Sequence, residues 1–138
     1  MGPMQDELRS PMSDAERETL KVLWDHGPLP VRDVLARLTD KGYDWTRSTA
    51  ITLLQRLEKK GYVQSDKDQF AFVFRAAVSR EDVMRSQMHD LAGQLCDGEA
   101  LPLVLAFAER HKFSPEELAR FKKMIDSLEA KRGKRGGQ

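Results

Sequence analysis

The sequence predicts a mainly α-helical fold with one small β-hairpin: a winged helix-turn-helix domain followed by a C-terminal helical region. Three observations carry this. Three amphipathic helix patterns fall between Ser13 and Lys60, two short strand-like runs with a polar turn between them follow, and everything after Ala77 reads as helix again. The 138 residues have room for one domain, or one small domain with an appendage.

The elements follow in order. Residues 1–12 mix Gly, Pro, Ser and charge without period and predict a disordered tail. Ser13-Asp14-Ala15-Glu16 is a capping box, in which a serine and the glutamate three residues on satisfy two orphan N–H groups. Leu20, Leu23 and Trp24 then recur at helical spacing until Gly27-Pro28. Val31, Val34, Leu35 and Leu38 mark a second helix, stopped at Lys41-Gly42. A third runs from Trp45-Thr46 to Lys60, with Gly61 as its left-handed cap and Ala50, Leu53, Leu54 and Leu57 as its apolar set. Tyr62 to Ser65 and Phe70 to Ala77 read as strands, with Asp66-Lys67-Asp68-Gln69 as the turn. The domain expected from this pattern covers residues 13–78.

Residues 79–130 are expected to be helical throughout. Ser79-Arg80-Glu81-Asp82 caps a helix with Met84, Met88, Leu91, Ala92 and Leu95 on one face. Glu99 to Arg110 is apolar nearly all round, and Phe107 within it is expected to be a core residue. Ser114-Pro115-Glu116-Glu117 caps the last helix, whose Leu118, Phe121, Ile125 and Leu128 have coiled-coil-like seam spacing. Three short helices cannot build a sufficient core alone, so a homodimer held by this region is the economical expectation. Its expected contact residues are Met88, Leu91, Leu95, Leu101, Leu105, Leu118, Phe121, Ile125 and Leu128. Residues 131–138 (KRGKRGGQ) predict a disordered basic tail.

Composition narrows the function. Charged residues are 33% and hydrophobic ones 40%, which excludes a disordered chain. The longest apolar run, Leu103 to Ala108, is far short of the roughly 20 residues that span a bilayer. There is no basic-then-apolar leader, and Cys96 is the only cysteine, so a cytoplasmic protein without a disulfide is expected. His26, His89 and His111 form no ligand pair at usable spacing, and His89 with Cys96 would be only two ligands, so no metal site is expected. Cys96 itself reads as a small buried hydrophobe. No phosphate loop, carboxylate pair or nucleophile elbow appears, so no enzyme is expected.

The third helix is where charge gathers. The net charge is +1, yet residues 45–62 hold Arg47, Arg56, Lys59 and Lys60 against Glu58 alone. Opposite its apolar set lie Ser48, Thr52, Gln55 and Lys59, flanked by Ile51 and Arg56, with Arg47 and Thr49 in the first turn. Short hydroxyls and amides approach base edges or phosphates closely while Arg and Lys supply charge. Such a face reads either as solvated surface or as a DNA contact. Ile51 breaks the polar pattern, which fits a thymine methyl or packing against the wing equally well. Lys67, placed at the hairpin tip between Asp66 and Asp68, would be a weak phosphate contact.

These residues together resemble the penicillinase-repressor family. The resemblance runs from about Ser13 to Leu128. It is carried by Glu16 to Trp24 (ERETLKVLW), by Trp45-Thr46 leading into Thr49 to Thr52, by Leu53 to Val63 (LLQRLEKKGYV) and by Leu103 to Phe107 (LVLAF). It implies a dimeric winged-helix repressor on a palindromic double-stranded operator, reading with Thr46 to Thr52 and Arg56. It also implies a membrane metalloprotease sensor as partner, cutting within the C-terminal region, here at Ala106-Phe107. Ile51 stands where antibiotic-responsive members can carry a basic residue, and Ala106 where they have Asn. The copper-responsive branch has a cysteine-rich C-terminal motif that KRGKRGGQ lacks, so no cofactor is expected. The rival reading from another class is a winged helix used for protein docking without direct DNA binding.

Overall fold

In the computed structural model, which describes residues 11–67 and 71–136 with side chains through 133, Ser13 opens the first helix, α1 (Asp14–His26). Its hydroxyl accepts from the Glu16 N–H at 3.1 Å, and the Glu16 carboxylate accepts from the Ser13 N–H at 2.8 Å. The strand β1 (Leu29–Pro30) and helix α2 (Val31–Asp40) follow. After α2, Gly42 at φ +99° lets the chain reverse, its N–H reaching the Thr39 carbonyl while the Tyr43 N–H reaches Leu38. Helix α3 (Arg47–Lys59) ends the same way through Gly61. The apolar spacing is realised as burial: Ala50, Leu53, Leu54 and Leu57 of α3 pack with Leu20 and Leu23 of α1 and with Val34 and Leu38 of α2.

The strands β2 (Val63–Lys67) and β3 (Phe72–Ala76) form the wing, and β1 pairs with the far side of β3, giving the order β1-β3-β2, all antiparallel. Sequence reasoning missed β1. Two residues, one of them Pro, show no period-two alternation, and Pro30 is tolerated because it sits on an edge strand. The hairpin turn is also shorter than expected. Asp66 and Lys67 belong to β2, paired with Val73 and Phe72, while Asp68, Gln69 and Phe70 lie outside the described residues.

The chain divides after Gly98 into two compact units. Helix α4 (Arg80–Leu95) therefore belongs with the winged helix, not with a separate region beginning at residue 79. The reason is local. The Trp24 indole N–H donates to the Val78 carbonyl at 2.9 Å, Arg80 pairs with Asp25 at 2.7 Å while lying 5.3 Å from the Trp24 ring centroid, and Val83 is buried. Met12, expected in the tail, is also buried in this core; residues 1–10 lie outside the described ones.

The second unit holds α5 (Leu101–Arg110) and α6 (Pro115–Gly136). Helix α5 starts two residues later than Glu99, after Asp97 and Gly98 both take positive φ. No residue of α5 is buried within one chain, and Phe107 is 63% exposed, stacked on His111 at 5.0 Å. The expectation of a core Phe107 therefore fails for the protomer. Helix α6 opens on a Ser114–Glu117 capping box and continues through residues 131–136, where a tail was expected. Lys131 and Arg132 are good helix formers, so a helix already nucleated carries through them.

Candidate nucleic-acid interface

Thr46 caps α3, its hydroxyl accepting from the Thr49 N–H at 3.2 Å and lying 3.1 Å from the Thr49 hydroxyl. The stacked rings of Tyr43 and Trp45, 4.6 Å between centroids, set the chain's approach to that cap. The helices α1, α4 and α6 carry acids in their first turns, whereas α3 carries none. Its N-terminal N–H groups and positive dipole end are thus left uncompensated, which favours an anion.

From this cap one exposed face runs the length of the helix. Thr46, Arg47, Ser48, Thr49, Thr52, Gln55, Arg56 and Lys59 are all exposed, as 100° per residue places them opposite the buried set. Among the described residues, Arg47, Arg56 and Lys59 have no ion pair, so their charge stays available.

Lys60 is different. Its ammonium turns inward, donating to the Glu16 carboxylate at 2.8 Å and to the Pro11 carbonyl at 2.8 Å. Glu16 is only 2% exposed. Burial alone would raise its pKa, but Lys60 and the Ser13 N–H outweigh that and hold it below the ordinary carboxylate value. The fourth cation counted on this helix therefore serves the fold. Glu58 is occupied too, accepting from the Ser65 N–H and hydroxyl at 3.2 and 2.7 Å and so tying β2 to α3.

The wing corrects the charge reading at Lys67. Directly opposed residues share a face, so Lys67 stands with Phe72 and the buried Phe74, whereas Asp66 stands on the other face and pairs with Arg75 at 2.9 Å. Asp66 does not cancel Lys67. Ile51 is half-buried, packed against the core, and lines a groove of about 720 Å³ with residues of α2, α3 and β3. Arg32 and Phe72 also line that groove and were not singled out from sequence; the alternation Phe70-Phe72-Phe74 was the available signal.

A family model described as penicillinase repressor matches residues 12–127. This chain belongs to the penicillinase repressor family. Members of that family are DNA-binding transcriptional repressors, not enzymes. The penicillinase repressor of Bacillus licheniformis is 32% identical over 107 residues, 78% of this chain and 83% of the relative. The methicillin resistance regulatory protein MecI of Staphylococcus aureus is 24% identical over 115 residues, 83% of this chain and 93% of its own. The solution structure of monomeric Bacillus licheniformis BlaI in complex with the blaP half-operator is 35% identical. It covers 52% of this chain and 87% of that one at a TM-score of 0.45. In this family member, no helix among the described residues is long and apolar enough to cross a membrane. Cys96 is half-buried at the end of α4, and His26 and His89 are exposed.

Proposed function

We propose that this penicillinase repressor family member represses transcription as a homodimer on a palindromic operator, each protomer laying α3 in the major groove of one half-site. The observation that carries the reading is the exposed, acid-free N-terminal face of α3 with Arg47, Arg56 and Lys59 unpaired among the described residues. Lys67 adds a phosphate contact from the wing. Dimerism is supported by where apolar surface is left uncovered. Of the large hydrophobic side chains exposed among the described residues, all but Phe72 lie between Met84 and Leu128. They include Met88, Leu91, Leu95, Leu101, Leu105, Leu118, Ile125 and Leu128, an arrangement a second copy would cover.

Release from the operator follows from cutting near Ala106-Phe107 by a membrane metalloprotease sensor. The exposure of Phe107 supports access, although a helical bond must first unwind to enter a protease cleft. The test of the central reading is a salt series on a duplex selected by the protein from a random-sequence pool. With roughly 6–10 phosphate contacts per dimer, affinity should fall about 10³–10⁵ between 50 and 200 mM salt. Arg56→Ala should flatten the slope by about 0.9. Shallow salt dependence, or no selected duplex, would mark a protein-docking module instead.

A further inference from the structure

Phe72 is 53% exposed, and among the described residues it is the one large exposed hydrophobe outside the segment from Met84 to Leu128. A lone exposed aromatic is ordinary on a protein surface. This one is placed beside chemistry. It lines the groove between α3 and β3 together with Ile51, Gln55, Arg47 and Arg32, and the groove shares three of those residues with α3, so it continues the proposed DNA face. Lys67 stands directly opposite Phe72 on the same face of the sheet. The apolar pair is therefore bordered by cations: Arg47 is unpaired among the described residues, and Arg32 has only a loose partner in Asp33 at 3.9 Å.

An occupant of this groove must be anionic along its edges and apolar at one point. Duplex DNA meets both demands. Its phosphates suit Arg32, Arg47 and Lys67, and in the major groove its one apolar base substituent is the thymine 5-methyl. Resting on the proposed operator binding, we propose that Ile51 and Phe72 together form a seat for a thymine methyl, one in each half-site. The protein would thus read a T·A pair by shape, using a wing residue as well as the reading helix. Ile51 supplies a β-branched wall whose position is fixed by packing on the core, and Phe72 supplies the opposing ring.

Uracil differs from thymine only by that methyl and pairs identically, so methyl deletion isolates the contact. A duplex selected by the full-length protein from a random-sequence pool is the probe, resynthesised with deoxyuridine at each thymine in turn. One thymine per half-site should weaken binding about fourfold when replaced, the effect of one buried methyl-sized group. Phe72→Ala and Ile51→Ala should each bind the thymine and uracil duplexes at that position equally, with an unchanged salt slope, since neither neutralises a phosphate. Ile51→Val, which keeps the branched wall, should retain part of the thymine preference. If every uracil duplex binds like its parent, or if the penalty persists in both alanine variants, the seat does not exist. A protein that selects no duplex would overturn the operator reading along with it.

Discussion

Lys60 shows how a single side chain can change allegiance between sequence and structure. By composition it is one of four cations on the third helix, yet its ammonium is spent on Glu16, 44 positions away. Lys60→Ala should therefore leave the DNA salt slope unchanged, while Lys59→Ala should lower it by about 0.9. The same pair makes stability depend on pH. Glu16 has a folded pKa below its unfolded value near 4.5, so its contribution is complete above that value and is lost as pH falls through the folded one. Glu16→Gln should cost about 1–3 kcal/mol at neutral pH and remove that part of the acid sensitivity, as urea titrations at pH 7 and pH 4 would register. Thr46→Ala should likewise lower stability by about 1 kcal/mol by removing the α3 cap, so its effect on DNA binding must be read beside a melting curve. The outward face of α3 was legible because a 3.6-residue period sorts every position on a helix. The Glu16–Lys60 pair was not, since no local period encodes a partner 44 residues distant.

Helix α4 gives the same lesson for elements. Its start was legible from Ser79 and Asp82, whose capping box forms with bonds of 2.9 and 3.2 Å. Its membership was not, because that rests on Trp24, Asp25 and Val83 meeting across more than 50 residues of chain. A chain ending at Gly98 should unfold cooperatively, whereas one ending at Ala77 should be roughly 2–4 kcal/mol less stable, having lost Val83 burial and the Trp24 hydrogen bond. Equal urea midpoints for the two would detach α4 from the domain. The wing divides similarly. The alternation of β3 was readable, but the extension of β2 through Lys67 depends on its register with Phe72, and β1 is too short for any pattern to show.

For the molecule as a whole, the uncovered apolar surface of α4, α5 and α6 decides how the chain must live. Sequence reasoning foresaw that these helices lack a core of their own, because seam spacing and an all-apolar helix leave nothing in one chain to cover them. Leu118→Asp or Ile125→Asp should therefore shift sedimentation from dimer to monomer and weaken operator binding at least tenfold, since a buried unpaired carboxylate costs several kcal/mol. A tight dimer in both variants would place the interface elsewhere. One further consequence comes from the two tryptophans, the only indoles in the sequence. Trp24 clamps α4 to α1, and Trp45 stacks on Tyr43 at the entrance to α3. Each ring thus carries a native fluorescence signal at a different moving part. A Trp45→Phe chain would glow only from the α1–α4 joint, and a Trp24→Phe chain only from the doorstep of the reading helix. Comparing their emission in time would show which part an inducing signal disturbs first, with no dye attached.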